Sequence, residues 1–264
     1  MKINFRYIYK YFIYKLLSSH KYGYGIHSPF MFDLIKKVFN SNSNKEEYIK
    51  IKKIRKSLLK NNTKLTLREF GAGSQVTNSN IRSISYMTRI SSIPIKYGIL
   101  LSQIINYYNC ESAIELGTSI GISSFFIANA NNKIFLDTIE AEKKKLDIAK
   151  NNAIKLNFNN INFHCGIFLE ELPKILESKN TVDMVFFDGD HNGARTYEYF
   201  NLCLNKINNN SIFIFDDIHW SKDMEIAWEK IIKNNKVRVS IDIFRMGIIF
   251  FKTELTKQNF TIRY

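Results

Sequence analysis

Short apolar runs and longer amphipathic segments alternate along the chain from about residue 96. SAIELG at 112–117 and VDMVFFD at 182–188 are typical of the apolar runs, whereas KKKLDIAKNNAIKL, from residue 143, repeats its apolar positions at helical spacing. Unbroken apolar strands separated by helices are typical of a parallel sheet covered on both faces. The pattern therefore predicts an α/β fold with a doubly wound, mostly parallel sheet.

From about residue 96, the pattern predicts seven strands and five helices. The strands are at 112–117, 133–141, 161–166, 182–188, 211–217, 237–244 and 247–252, and the helices at 119–130, 143–156, 169–178, 194–207 and 223–233. The last two strands form an antiparallel hairpin around Met246-Gly247. We divide the chain into a helical N-terminal region at 1–95 and an α/β domain at 96–264.

The N-terminal region begins with a basic, aromatic helix. Phe5, Ile8, Phe12 and Leu16 fall on one helical face, and residues 1–32 carry five Lys or Arg and no acid. One interpretation is a helix that lies on a membrane or on RNA. The other, which we favour, is a helix packed on its own domain with its lysines in water. No small-residue cleavage site follows, so a signal peptide is not indicated.

Composition narrows the class of protein. Of the 264 residues 45% are hydrophobic and 23% charged, which is typical of a globular chain, and the net charge is +14. Such charge suits a polyanion or a membrane surface, but Lys, Asn and Ile are frequent throughout, so a nucleic-acid partner is not favoured. The three cysteines include no CxxC, and no apolar run approaches ~20 residues. We expect a cytoplasmic protein with reduced thiols and no transmembrane helix.

Two glycine loops compete for a cofactor. REFGAGSQ at 68–75 has no strand ending in an acid behind it, so we place Gly71 and Gly73 in a turn. AIELGTSIGISSFFIA at 113–128 has a strand before it, a helix after it, and Glu140 at the end of the next strand, where an acid can hold ribose hydroxyls. The loop lacks the glycines that cradle a pyrophosphate, which argues against NAD and ATP.

With Asp188-Gly-Asp-His191 and Asp216-Asp217, this loop resembles those of class I S-adenosylmethionine-dependent methyltransferases, in particular the catechol and sugar O-methyltransferase-like group. The resemblance covers roughly residues 97–252 and implies a Rossmann-like fold. It also implies that Glu140 accepts the ribose hydroxyls and that Glu115 holds the loop or the amino group of the cofactor. The other cofactor-binding residues implied are Gly117, Thr118, Ser119, Gly121, Ser123, Gly166, Ile167, Phe168 and Asp188.

The resemblance also implies a divalent metal. Asp188, Asp216 and Asp217 match the metal ligands of the metal-dependent relatives, and carboxylate oxygens suit Mg²⁺. A bound metal would lower the pKa of an acceptor hydroxyl. His191 stands where the catechol enzyme has a lysine base, and it can take a proton near neutral pH. We name His191 and Asp188 as catalytic, with His219 as a second candidate for the base.

The sequence thus favours an O-methyltransferase that acts on a small-molecule or sugar hydroxyl, with a divalent metal. Two alternatives stay open: an RNA-hydroxyl methyltransferase recruited by the basic N-terminus, and a non-catalytic or aminopropyl-transfer relative of the fold. The aromatic N-terminus could supply a dimer surface, so a homodimer also stays open.

Overall fold

The computed structural model describes residues 5–19, 21–41, 45–67 and 80–264. Gly71 and Gly73, predicted to lie in a turn, fall outside the described residues. The chain forms two compact units by contact: unit 1 comprises Met1–Ser41 with Lys179–Tyr264, and unit 2 comprises Asn42–Ser178. The boundaries of these units differ from the domain boundary predicted at residue 95. The division into domains stays a prediction.

In the described part of unit 2, three parallel strands lie in the order β3-β4-β5. A separate antiparallel pair, β1 with β2, was not predicted from the sequence. The elements are α3 Ile49–Leu58, β1 Lys64–Thr66, β2 Ile81–Ser83, α4 Ile84–Ser91, α5 Ile95–Tyr108, β3 Ser112–Leu116, α6 Ile122–Ala128, β4 Phe135–Glu140, α7 Lys143–Lys155, β5 Ile161–Cys165 and α8 Phe168–Glu177, with a 3-10 turn at Lys45–Tyr48.

The described residues of unit 1 form five strands in the order β10-β8-β9-β7-β6. The pairs β6–β7 and β8–β10 are parallel, whereas β9 runs antiparallel to both β7 and β8. The elements are α1 Phe5–Leu17, α2 Pro29–Leu34 with a π-helical turn at Ile35–Phe39, β6 Met184–Phe187, α9 Gly193–Cys203, β7 Ile212–Asp216, α10 Lys222–Lys233, β8 Val239–Asp242, β9 Met246–Phe250 and β10 Gln258–Thr261.

The core of each unit is built from the apolar runs that identified the strands. In unit 2, Phe125 and Phe126 of α6 are fully buried, and Gly98 of α5 leaves room for Phe126, whose ring a Cβ there would meet at 2.3 Å. In unit 1, Phe186, Phe213 and Phe215 bury their rings completely. Large side chains without exposed area contribute most of the hydrophobic stabilisation.

Helix α1 docks on unit 1 through its tyrosines. The Tyr14 hydroxyl donates to the Ile262 carbonyl at 2.6 Å and accepts from the Tyr264 N–H at 3.0 Å. The Tyr7 ring lies edge-on to Phe244, with centroids 4.9 Å apart. Burial raises the pKa of the Tyr14 hydroxyl to about 12. The helix therefore packs on its own unit, as favoured from the sequence, but its apolar stripe does not provide the contact face.

The predicted fold class is confirmed: a mixed α/β fold with mostly parallel strands, an antiparallel hairpin near its end and helices in the N-terminal region. Strands β3 to β9 are the seven predicted, and β10 was not predicted. The predicted helix at 119–130 begins later, at Ile122, because residues 117–121 form the loop of the candidate site. In the described part of the chain, no helix has both the length and the apolarity needed to cross a membrane.

Candidate active site

The loop after β3 is shaped by residues with left-handed backbone. Gly117 has φ +111°, Ser119 +48° and Gly121 +91°. A Cβ on Gly121 would lie 2.7 Å from Cζ of Phe125, so both the conformation and the space select glycine. The loop opens helix α6, whose first N–H groups lack intrahelical partners and favour an anion. This geometry fits the carboxylate end of the predicted cofactor.

Glu140 joins this loop to the end of β4. Its Oε2 accepts from the Ser119 N–H at 2.9 Å and its Oε1 from the Glu142 N–H at 3.0 Å. Lys145 Nζ lies 3.7 Å from Oε1. A carboxylate oxygen can accept more than one hydrogen bond, so these bonds hold the group in place while leaving acceptor capacity for ribose hydroxyls.

Glu115 lies beneath the loop in a buried polar network. The Thr138 hydroxyl donates to its Oε2 at 2.6 Å, the Ser124 hydroxyl donates to the same oxygen, and Thr118 lies 2.6 Å from the Thr138 hydroxyl. Burial raises the pKa of Glu115, although hydrogen bonds from Ser123, Ser124 and Thr138 oppose it. Since Glu115 is fully buried, its place suits holding the loop, the first of the two roles expected from the sequence.

The residues predicted to line the adenine lie where β5 passes into α8. The Gly166 N–H donates to the Glu140 carbonyl at 3.2 Å, and a Cβ on Gly166 would meet Cγ of Glu171 at 2.7 Å. Ile167 is exposed and Phe168 is half-buried at the start of α8. The structure thus brings Glu140 and Gly166 together at neighbouring strand ends. The adenine role itself stays a prediction.

In unit 1, the two aspartate clusters meet because β6 and β7 are neighbouring parallel strands. Asp188 directly follows β6, whereas Asp216 ends β7 and Asp217 follows it. Asp190, His191 and Asp217 have left-handed φ angles of 70°, 42° and 52°. Such conformations are costly for residues other than glycine and concentrate at functional sites.

Arg245, from the turn between β8 and β9, holds the second cluster. Its Nε donates to Asp216 Oδ1 at 3.0 Å and its Nη2 to Asp216 Oδ2 at 2.6 Å, while Nη2 lies 3.8 Å from Asp217 Oδ1. The Asp216 side chain has no exposed area. Burial opposes the charged form of Arg245, but Asp216 and Asp217 outweigh it and raise the pKa of Arg245.

This arrangement does not fit the predicted metal site. Both carboxylate oxygens of Asp216 are engaged by one guanidinium, and among the described residues no three acidic, histidine or cysteine side chains are arranged to hold a metal ion. A divalent cation at Asp188, Asp216 and Asp217 would have to displace Arg245. The metal site therefore stays a prediction. The sequence could not reveal Arg245 as the cation beside Asp216, because aspartate positions alone do not identify their partner.

The two candidate bases differ in their surroundings. The rings of His219 and Phe244 stack; His219 Nε2 is 2.7 Å from Asp242 Oδ2 and its Nδ1 is 3.3 Å from Glu225 Oε1. Burial alone would lower the pKa of His219, but these two carboxylates outweigh it and raise the pKa. His191 faces the charge of Asp217. With both ring nitrogens of His219 bonded, His191 is the better candidate for moving a proton.

Tyr7 of α1 is a neighbour of the acidic cluster that the sequence did not suggest. Burial raises the pKa of its hydroxyl, the nearby charge of Asp217 raises it further, and Arg245 opposes them. Its ring lies 6.4 Å from that of Trp220, which is exposed. No motif marks either Tyr7 or Arg245, since each comes from a distant part of the sequence.

We expect Asp217→Asn to stabilise the protein at neutral pH. Burial, together with the charge of Asp216, raises the pKa of Asp217 to about 6 from 3.8. Because the folded-state pKa is raised, the ionised group destabilises the fold, and stability present below about pH 4 is lost as the pH rises through about 6. The uncharged Asn variant should therefore be more stable than wild type above about pH 7. Urea unfolding of both proteins across this range measures the difference, and equal pH profiles would contradict it.

The chain is similar to known proteins over the strands and loops of the candidate site. The methyltransferase domain family matches residues 114–218, which include the loop after β3, Glu140 and both aspartate clusters. No curated protein sequence is significantly similar to the chain.

Solved structures share the fold at low sequence identity. The O-methyltransferase from Bacillus cereus in complex with SAH is 20% identical, with a TM-score of 0.54 over 61% of this chain and 83% of its own. TomG from Streptomyces achromogenes, an O-methyltransferase of tomaymycin synthesis in complex with SAM, is also 20% identical, with a TM-score of 0.54 over 61% and 82%. The SAH-bound methyltransferase PaMTH1 of Podospora anserina is 13% identical, with a TM-score of 0.54 over 61% and 80%. The chain therefore carries a methyltransferase domain over residues 114–218, and it is an enzyme with the class I, S-adenosylmethionine-dependent methyltransferase fold.

Proposed function

We propose that the chain transfers the methyl group of S-adenosylmethionine to a hydroxyl oxygen of a small molecule or sugar. The observation that carries the proposal is the loop after β3, in which left-handed Gly117, Ser119 and Gly121 are tied to the carboxylate of Glu140. The oxygen acceptor is supported by the solved structures of the same fold from Bacillus cereus and Streptomyces achromogenes, both O-methyltransferases.

When bound, S-adenosylmethionine supplies an activated sulfonium methyl group. Glu140 would accept hydrogen bonds from the ribose, and Ser119 would lie at the cofactor carboxylate. The Thr118 and Ser123 side chains, predicted to bond that carboxylate, are buried and belong instead to the polar network of Glu115. Glu115 keeps the loop in shape from below. Holding the reactants in line contributes much of the rate of such a transfer.

The acceptor hydroxyl must lose its proton as its oxygen bonds to the methyl carbon. A ring nitrogen of His191 takes this proton, and the carboxylates of Asp188 and Asp217 stabilise the imidazolium that results. Arg245 neutralises Asp216, so the cluster tolerates its density of acids without a metal ion. Both carboxylate oxygens of Asp216 are engaged by Arg245, so the proposed transfer proceeds without Mg²⁺.

The first test is calorimetric titration of the protein with S-adenosylmethionine and with S-adenosylhomocysteine, before and after treatment with EDTA. We expect binding of both compounds with unchanged affinity after EDTA, followed by methyl transfer to members of a panel of catechols and sugar diols. Failure to bind either compound would overturn the proposal. Transfer only to nitrogen or carbon acceptors would overturn its oxygen part.

The metal has its own outcome in this test. If EDTA abolished methyl transfer and Mg²⁺ restored it, Arg245 would have to leave Asp216 during the reaction, and the three-aspartate metal site predicted from the sequence would return.

A further inference from the structure

Helix α1 turns an apolar stripe toward solvent. The stripe consists of Phe5, Ile8, Tyr9, Phe12 and Leu16, which are 78%, 54%, 65%, 64% and 68% exposed. These positions recur at helical spacing, so they lie on one side of the helix. Single exposed apolar residues are ordinary, but a row of five along one helix is a feature of binding surfaces.

The stripe is not exposed through fraying, because the opposite side of α1 is fixed to unit 1. Tyr14 is bonded to Ile262 and Tyr264, the Tyr7 and Tyr11 rings contact Phe244, and Arg6 pairs with Glu225. A second ion pair joins Lys10 to Glu225 at 3.5 Å. The fold therefore presents the stripe on a docked helix.

Residues 1–32 contain Lys2, Arg6, Lys10, Lys15 and Lys21 and no Asp or Glu. Arg6 and Lys10 are paired with Glu225, whereas Lys15 and Lys21 have no carboxylate partner among the described residues. Exposed aromatic side chains continue beyond the helix, since Tyr22 and Tyr24 are 50% and 72% exposed. Apolar side chains, flanking lysines and tyrosines together are typical of helices that lie in the headgroup region of a bilayer.

We propose that α1 binds the surface of an anionic lipid bilayer, with its stripe inserted below the headgroups and Lys15 and Lys21 among them. Its 13 residues span about 20 Å, which suits a helix lying in the plane of the interface. A second copy of the chain fits less well, because pairing two stripes would bring two acid-free basic segments together. Nucleic acid offers negative charge but no apolar phase for the five side chains.

The proposal is independent of the methyl acceptor and of the cofactor. It gives the enzyme a location at the bilayer surface while the α/β units stay in water.

The test is flotation of the full-length protein with vesicles of phosphatidylcholine alone and of phosphatidylcholine mixed with phosphatidylglycerol. We expect flotation with the anionic vesicles only, weakening as salt is added. The triple variant Ile8→Gln, Phe12→Gln, Leu16→Gln should lose on the order of tenfold or more in partitioning, because its stripe no longer favours the acyl boundary.

Two matched controls separate this surface from general stickiness. Ile90→Gln, Ile154→Gln, Ile226→Gln removes three exposed apolar side chains elsewhere and should float like wild type. Lys15→Gln, Lys21→Gln should weaken partitioning about fivefold per charge, whereas Lys150→Gln, Lys155→Gln should not change it. Thermal unfolding checks that the triple variant is folded, as expected for substitutions at exposed positions.

Three results would overturn the proposal. The first is absence of flotation with anionic vesicles at low salt, or equal flotation of wild type and the triple variant. The second is a wild-type dimer that does not float and that becomes a monomer in the triple variant, which would make the stripe an interface between copies. The third is binding of RNA, unaffected by the triple variant, in place of binding to lipid.

Discussion

Arg245→Met is expected to lower the free energy of unfolding by about 3–5 kcal/mol, which is a large part of the stability of a typical protein. The substitution keeps an unbranched side chain of similar length but removes both hydrogen bonds to Asp216, whose carboxylate has no exposed area. A buried carboxylate without a partner is costly, and the adjacent Asp217 adds repulsion. Urea unfolding at neutral pH measures the loss.

Two further variants test whether the buried charge causes this loss. Arg195→Met removes an ion pair to Asp190, but Arg195 is more exposed than Arg245, and Asp190 keeps the hydrogen bond from the Tyr199 hydroxyl. We therefore expect the free energy of unfolding to fall by only about 1–2 kcal/mol. Adding Asp216→Asn to Arg245→Met should restore part of the stability, because the amide carries no charge. If the double variant were less stable than Arg245→Met alone, the charge at Asp216 would not be the cause.

Glu140→Ala is expected to weaken binding of S-adenosylhomocysteine about 100-fold. The substitution removes the proposed acceptor of two ribose hydroxyls, each bond to a charged group contributing about 1.5 kcal/mol or more. It also frees the Ser119 N–H, so the loop after β3 loses one of its ties. Calorimetric titration gives the dissociation constant directly.

A matched control removes a carboxylate outside the proposed cofactor site. Glu111→Ala removes an exposed carboxylate that pairs with Lys133, just before β3, and should leave the affinity unchanged. Glu140→Gln keeps an acceptor oxygen but not the charge, so its affinity for S-adenosylhomocysteine should lie between those of Glu140→Ala and Glu111→Ala. Equal affinity of wild type and Glu140→Ala would remove Glu140 from the cofactor site.

The strands and the loop after β3 could be predicted because their signals are local. An apolar run that ends in an acid marks a strand end, and the interval from Gly117 to Glu140 is set by one helix and one strand. The backbone angles of Gly117 and Gly121 agree with the interpretation of the loop. Local sequence also placed Asp188 and Asp216 at strand ends, since each comes at the end of an apolar run.

The partners of these groups could not be predicted because they come from distant segments. Arg245 reaches Asp216 from a later turn, and Tyr7 approaches Asp217 from the first helix; neither spacing is fixed by a helix or strand. Helix α1 shows a related limit. The helical spacing of its apolar residues reveals a stripe. Which face of the helix contacts unit 1 depends instead on where Phe244, Ile262 and Glu225 lie.

The docking of α1 also sets an order of events during synthesis. The Tyr14 hydroxyl bonds to the Ile262 carbonyl, 248 residues further along the chain, and Ser19 bridges to the same residue. The ribosome makes α1 before the α/β region, yet these partners exist only after almost all of that region has been translated. Until then neither face of the helix has a place to pack. A nascent chain would therefore carry two apolar surfaces on one segment, and chaperones that bind such surfaces have longer access to it than to strands β3 to β5, which pair soon after they emerge.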